Sequence, residues 1–405
     1  MKTGTTERPV RPAPGSGIPE DPSVSQRESF LPPKTPPSIG ERIGRILQLL
    51  ALLYLFLLAI STMGAAFKLL GKDFAETLIT ATANPVVGLM IGMLTTAIIQ
   101  SSSTTTSLIV GLVAAGALSV QGAIPMIMGA NIGTTVTNTI VAMAAINRRE
   151  EFRRSFAGAT MHDFFNVITV IIILPLELTT HFLERASGLL ATLLVGSAEI
   201  EFHSPVKTIT KPVAKGFLHW LDGLGWSDPL VGTVALLVAI LGIFLALARL
   251  PKLMREMFLS RAEGAFYSLM TRGGIVGMGI GLFITVLVQS SSITTSLLVP
   301  MIGAGIIPLT AAFPITLGAN VGTTVTALLA STAGTHDAVA IALVHLLFNV
   351  TGILIIYPIR NLPIRLAETL ADFSLRSRLV PVLYLLFLFF LLPGLVVVGQ
   401  RVLGN

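Results

Sequence analysis

Apolar runs dominate the chain once its first forty residues are passed. A spanning helix needs about 20 consecutive apolar residues. Stretches near 46–69, 122–146, 155–178, 230–250, 312–333, 338–358 and 380–400 meet that length. Two further runs, 86–119 and 275–308, are interrupted midway by polar residues. The interruptions read Gln100-Ser101-Ser102-Ser103-Thr104-Thr105-Thr106-Ser107 and Gln289-Ser290-Ser291-Ser292-Ile293-Thr294-Thr295-Ser296. The flanking arms are about 14 residues each, too short to cross. The pattern predicts two re-entrant helical hairpins with polar tips. Such broken backbone is tolerated only where protein or a water-filled cavity surrounds it.

The two interrupted runs are copies. Gln100 aligns with Gln289, Pro125 with Pro314 and Asn131 with Asn320 at a constant offset, and roughly half of positions 88–137 match 277–326. The match includes Gly-Ala-Asn-x-Gly-Thr-Thr-Val-Thr at 129–137 and 318–326, and His-x-x-Phe-Asn follows at 162–166 and 345–349. Gly88/Gly92 and Gly277/Gly281 have the small-xxx-small spacing that lets helices approach closely, here read as the two arms of a hairpin.

Charge assigns sides. Loops 147–154, 249–272 and 360–378 are rich in Arg and are expected on the cytoplasmic face. The connection 179–229, which holds Trp220 and Trp226 as interface markers, is expected outside. From a cytoplasmic N-terminus the first copy makes an odd number of crossings, so the second starts from the opposite side. The fold class expected is an all-α polytopic membrane protein of two inverted-topology repeats. Each has a re-entrant helical hairpin and a broken transmembrane helix. The expected organisation is a disordered cytoplasmic tail, 1–40, then repeat one at 41–178 with hairpin 86–119. An extracellular loop, 179–229, precedes repeat two at 230–358 with hairpin 275–308. A cytoplasmic loop and a last transmembrane helix fill 359–405, leaving the C-terminus outside.

Composition agrees with a bilayer as solvent. Of 405 residues, 53% are apolar and only 12% charged, which excludes an ordinary soluble enzyme. The net charge of +6 fits basic cytoplasmic loops better than nucleic-acid binding, because the basic residues form no stripe with aromatics. No cysteine is present, so thiolate metal sites and thiol nucleophiles are excluded. The tail holds nine of the 23 prolines and no apolar core typical of a signal peptide.

The polar tips carry the candidate chemistry. Serine and threonine hydroxyls, a glutamine amide and the free N–H groups opening a second arm together make an anion site. The alternative is plain helix capping by serine. Gly-Ala-Asn-x-Gly-Thr-Thr offers carbonyls, an amide oxygen and hydroxyls, which suit a small hard cation. Its alternative is hydrogen bonding between helices by Asn131 and Asn320. Asp163 lies inside a span, on one helical face with Asn166, where a carboxylate is costly and a functional candidate. Its alternative is a salt bridge to an arginine of 147–154. Leu346 stands at the matching place in the second copy. His162 and His345 are read as core histidines. From Val86 to Asn147 and from Gly273 to His336 there is no Asp, Glu, Lys or Arg. A bound anion there would be neutralised by bound cations, which couples the two. Asn349-Val-Thr matches a glycosylation acceptor but falls inside a span.

The paired Gln-Ser-Ser-Ser runs, Gly-Ala-Asn-Ile-Gly-Thr-Thr-Val-Thr-Asn at 129–138, Glu151 to Asn166 and Tyr357-Pro-Ile-Arg-Asn-Leu-Pro-Ile-Arg365 together resemble the type II sodium–phosphate cotransporter family. The resemblance covers roughly 40–400. It implies secondary active symport of inorganic phosphate with Na⁺ by alternating access, with no enzymatic activity and no cofactor beyond Na⁺. Phosphate would be held by Gln100, Ser101, Ser102, Ser103, Gln289, Ser290, Ser291 and Ser292. Na⁺ would be served by Asp163, Asn166, Asn131, Thr134, Asn320, Thr323, Asn349, Thr105 and Thr294. An acid at the place of Asp163 accompanies electrogenic transport of divalent phosphate in that family. The short, cysteine-free outer loop and the end at Asn405 suggest a bacterial-type member of a plasma membrane, with lipid, phosphate and Na⁺ as partners. A carrier of arsenate or sulfate and a non-transporting phosphate sensor or scaffold are the rival readings.

Overall fold

The computed structural model describes residues 38–70, 82–196, 205–258, 274–332 and 334–403, together with Glu76, Ile79 and Thr80. The expected tail up to residue 37, and the basic positions Arg261 and Arg272, lie outside these. The chain divides into two units, Met1–Gly44 and Arg45–Asn405. The described part of the first is short. There Ser38 and Glu41 cap each other's N–H groups, at 2.8 and 3.2 Å, and start a helix.

All regular structure among the described residues is helical. The first helix is α1 (Ile39–Leu70). The first hairpin follows as α2 (Pro85–Ile99) and α3 (Ser102–Ala114), then α4 (Val120–Gly133) and α5 (Val136–Met143). Long α6 (Arg149–Thr180) leads to α7 (Phe182–Val195), α8 (Pro205–Asp222) and α9 (Asp228–Phe258). The second hairpin is α10 (Gly274–Val288) and α11 (Ser291–Gly303), followed by α12 (Leu309–Ser331) and α13 (His336–Ile356). The chain closes with α14 (Asn361–Ser374), α15 (Leu379–Leu386), a π-helical turn at Phe387–Leu391 and α16 (Leu392–Leu403).

Six of the described helical stretches are long and apolar enough to span a membrane: Ile39–Leu70, Arg149–Thr180, Asp228–Leu250, Leu309–Ser331, His336–Ile359 and Leu379–Gln400. Their outward faces are apolar; Leu237, Leu354 and Leu383 are 60%, 69% and 59% exposed, as a lipid-facing surface requires. The expected span 122–146 is instead two short helices, α4 and α5, broken at Thr134–Thr135.

The matching element of the second copy corrects the sequence reading. A broken helix was expected in both copies, yet α12 is continuous. The back-bonding threonines are not the reason, since Thr134 and Thr323 both return a hydroxyl to the carbonyl four residues back. The difference lies in the asparagines. Asn166 Nδ2 donates to the Asn131 carbonyl at 3.0 Å, and the Thr135 N–H turns to Ile132 instead. Asn349 Nδ2 spends its hydrogen on the His345 carbonyl of its own helix, at 3.0 Å, and leaves α12 intact.

The glycine spacing also acts on a different partner from the one expected. A Cβ on Gly92 would stand 2.0 Å from the Met126 carbonyl, and one on Gly129 would stand 1.9 Å from the Leu89 carbonyl. In the second copy Gly281 and Gly318 repeat this against Ile315 and Met278, at 1.9 Å each. The first arm of each hairpin therefore packs backbone to backbone against the helix that follows the hairpin, α2 on α4 and α10 on α12. The second arms reach across to the other copy, α3 onto α12 and α13, and α11 onto α5 and α6.

Candidate functional site

Each hairpin turns at a single glutamine. Gln100 and Gln289 have φ of 59° and 56°, a left-handed conformation rare outside glycine. The side chain explains why glutamine stands there. Gln100 Nε2 donates to the Ala97 carbonyl, and Oε1 accepts from the Thr137 hydroxyl at 2.9 Å. Gln289 does the same with Val286 and with Thr326, at 2.7 and 3.1 Å.

The next residue opens the second arm. Ser101 Oγ accepts from the Thr104 N–H at 3.2 Å, and Ser290 Oγ from the Ile293 N–H at 3.3 Å, so both serines cap. The residues behind them are not spent in this way. Among the described residues, the hydroxyls of Ser102, Ser103, Ser291 and Ser292 have no protein partner, while Ser102, Ser103 and Ser291 are buried. Thr105 and Thr294 return their hydroxyls to the Ser101 and Ser290 carbonyls at 3.1 and 3.2 Å. Each tip thus presents uncommitted hydroxyls and the first N–H groups of a helix, an arrangement suited to an oxyanion.

One turn of α5 gathers both hairpins. Thr137 bonds Gln100 of the first tip, and its neighbour Asn138 accepts from Thr295 of the second hairpin at 2.8 Å and from Ser296 at 3.2 Å. Ala327 occupies the matching place in the second copy, so this tether exists once.

A second network joins the copies through asparagine. Asn320 Oδ1 pairs with His162 Nε2 at 2.7 Å, and Asn320 Nδ2 donates to Asn166 Oδ1 at 3.0 Å. Asn166 continues to the Asn131 carbonyl. His162, Asn166, Asn131 and Asn320 are all buried. The mirror arrangement is open. Asn131 Nδ2 bonds the Ile127 carbonyl of its own helix. Neither nitrogen of His345 nor Asn349 Oδ1 has a partner among the described residues. Both histidines are buried, His162 with Nε2 bonded and Nδ1 without a partner, His345 with neither nitrogen bonded among the described residues.

Asp163 is 1% exposed. Its Oδ2 accepts from the Tyr384 hydroxyl at 2.7 Å, and its Oδ1 has no partner among the described residues. Three of the four arginines of 147–154 are engaged elsewhere, and Arg149 is exposed. Arg148 pairs with Glu151, Arg153 with Asp372, and Arg154 donates to the Gly303 carbonyl. Five fully buried side-chain oxygens have no partner among the described residues, those of Thr96, Ser107, Asp163 (Oδ1), Asn349 (Oδ1) and Gln400; the carboxylate and amide oxygens of Asp163 and Asn349 are of the donor type a hard cation selects. Sequence reasoning did not find Tyr384, Thr137 or Asn138. The last two stand within or beside a repeated motif, but nothing in the pattern names their partners.

A polytopic helical membrane protein with duplicated, hydroxyl-lined helix breaks belongs to the class of transporters. Residues 55–196 and 232–375 match the model of the Na+/Pi-cotransporter family, one segment to each copy. Curated relatives include "Sodium-dependent phosphate transport protein 2B" of Homo sapiens, 34% identical over 89% of this chain and 66% of the relative. The protein of the same name in Pongo abelii is 34% identical over 90% of this chain and 67% of its own length. "Sodium-dependent phosphate transport protein 2A" of Rattus norvegicus is 34% identical over 88% and 68%. The chain spans about two thirds of the length of these relatives. No solved structure matches it. The chain belongs to the Na+/Pi-cotransporter family, which places it among transport proteins and not among enzymes.

Proposed function

We propose that the chain carries inorganic phosphate into the cell together with Na⁺, as a plasma-membrane symporter working by alternating access. The carrying observation is the tether at consecutive positions of α5: Thr137 holds Gln100 while Asn138 holds Thr295. It brings the tip of one hairpin and the second arm of the other to one helical turn. In this reading the hairpins are re-entrant and the copies inverted, with the N-terminus cytoplasmic and the C-terminus outside. Gln100, Ser101, Ser102 and Ser103, with Gln289, Ser290, Ser291 and Ser292, bind phosphate through hydroxyls and helix N-termini. Ser101 and Ser290, although capping, keep a hydroxyl hydrogen to donate.

Na⁺ is drawn to the oxygens of Asp163, Asn349, Asn131 and Asn166, with Thr105, Thr134, Thr294 and Thr323 supplying hydroxyl lone pairs and Asn320 holding the copies together. The cations offset an anion in segments that carry no fixed base. With a carboxylate in one copy only, the cycle moves net charge and favours divalent phosphate.

Uptake of radiolabelled phosphate into proteoliposomes tests the reading. An inward Na⁺ gradient should drive accumulation, and replacing Na⁺ by K⁺ should abolish it; equal uptake in the two would sink symport. Arsenate and sulfate added in excess report whether another oxyanion is the preferred cargo. A phosphate-evoked current that persists unchanged in Asp163→Gly would defeat the electrogenic assignment.

A further inference from the structure

The last helix lies beyond both copies and beyond both segments that match the family, which end at residue 375. It nevertheless touches the buried acid. Tyr384, on α15, donates its hydroxyl to Asp163 Oδ2 at 2.7 Å. The ring is held edge-on by Phe156 and Phe389, each with centroids 6.2 Å away. The π-helical turn begins three residues later, at Phe387. Such turns interrupt the regular ladder and are frequent at functional sites.

The geometry divides the carboxylate into two unlike oxygens. Oδ2 is satisfied by the phenol, while Oδ1 is buried with no partner among the described residues. A buried carboxylate serving only as structural glue would have both oxygens paired, because an unpaired one carries the full desolvation penalty. Here Tyr384 fixes Oδ2, while Oδ1 has no hydrogen bond among the described residues and the Thr135 hydroxyl, which also lies near the carboxylate, donates to the Ile132 carbonyl at 2.8 Å. Both partners are also unpaired across the duplication. The second copy has Leu346 where the first has Asp163, and Tyr384 follows both copies.

We infer that Tyr384 is a positioning residue for the cation site at Asp163. Its hydroxyl sets the orientation of the carboxylate and leaves Oδ1 as the ligand atom, so the last helix forms part of the Na⁺ site. This rests on the assignment of Asp163 to Na⁺ above. A neutral donor on a charged acceptor stabilises the ionised carboxylate. Without it the bare buried anion is disfavoured and the cation is held less well.

The test is the Na⁺ dependence of phosphate uptake in proteoliposomes at saturating phosphate. Tyr384→Phe removes one oxygen and keeps the ring and both edge contacts. It should raise the Na⁺ concentration for half-maximal uptake by about 3- to 10-fold, with maximal rate within about twofold. In an Asp163→Asn background the same change should shift nothing further, as expected for residues acting through one interaction. Should Asp163→Asn fail to elute as a single species from detergent, Asp163→Ala replaces it, with the same loss of the Tyr384→Phe effect expected. An unchanged Na⁺ dependence in Tyr384→Phe, or an equal shift in both backgrounds, overturns the role of Tyr384. An Asp163→Asn protein with unaltered Na⁺ dependence overturns the cation site itself, and is recognisable because it fails before the tyrosine is touched.

Discussion

Asn138 accepts a hydrogen bond from Thr295 at 2.8 Å, and so ties the second hairpin to the first copy; the reverse tie does not exist, because Ala327 stands where its asparagine would be. Hydrogen bonds between membrane helices average about 0.6 kcal/mol, with a maximum near 1.7. Asn138→Ala should therefore lower stability by about 1 kcal/mol, read as a small drop in the melting midpoint in detergent. Phosphate affinity should fall by a larger proportion, because the second arm is no longer held where its free serines face the cargo. Unaltered affinity would show that the tether is structural only.

Gln100 pays in backbone strain for what its side chain holds. The left-handed conformation costs a non-glycine residue about 1–2 kcal/mol. Gln100→Gly relieves that strain and loses the bond to Thr137; its stability should stay within about 1 kcal/mol of the parent. Gln100→Ala loses the bond and keeps the strain, so it should be the less stable of the two. Uptake should fall about tenfold or more in both. A glycine variant that transports normally would remove Gln100 from the site.

The backbone-to-backbone contacts predict a sharp contrast among glycines. Gly92→Ala drives a Cβ to 2.0 Å from the Met126 carbonyl and should destabilise by about 1–3 kcal/mol. Gly64, in α1, has nothing within 4 Å of an added Cβ. Gly64→Ala should gain about 0.5–1 kcal/mol through better helix propensity. Melting midpoints of the pair, measured side by side, decide this.

On the side predicted to be cytoplasmic, Arg153 pairs with Asp372 and links α6 to α14. The hydrogen bond from Arg153 outweighs the opposing effect of burial and, with a lesser contribution from the guanidinium charge, holds the Asp372 carboxyl below its ordinary range. A folded-state pKa that is lowered contributes stability above the ordinary value, about 3.9, and loses it as pH falls through the lower folded value. The two side chains are 36% and 55% exposed, so solvent screens the pair and its worth is under about 1 kcal/mol. Asp372→Asn should therefore lower the melting midpoint slightly at neutral pH. The gap to the parent should close as pH is lowered past the carboxylate range.

The duplication, the spans and the two polar interruptions were legible because they rest on local pattern. The apolar helices break where the polar runs begin, at Gln100 and Gln289, although the hydroxyl-rich stretches that follow are themselves helical. What was not legible depends on partners distant in sequence. Gly92 announces a close approach but does not say to which helix. The break at Thr134–Thr135 depends on Asn166 capturing a carbonyl of Asn131, and the nearly identical motif at 318–326 stays helical because Asn349 does not do the same. Tyr384 reaches Asp163 across more than two hundred residues of chain, and no periodicity encodes that.

The reciprocal glycine seams have a mechanical consequence. At Gly92 and Gly129, and at Gly281 and Gly318, no side chain separates the two backbones, so neither pair has a cushion there on which to slide. Each pair is welded into one plank, and a shift of the first arm drags its neighbour along. Hinges must then fall where the ladder is already cut: at the two glutamine corners, and in one half alone at the threonine step. A rocking motion of the carrier proposed above would then bend unevenly, at three joints instead of four.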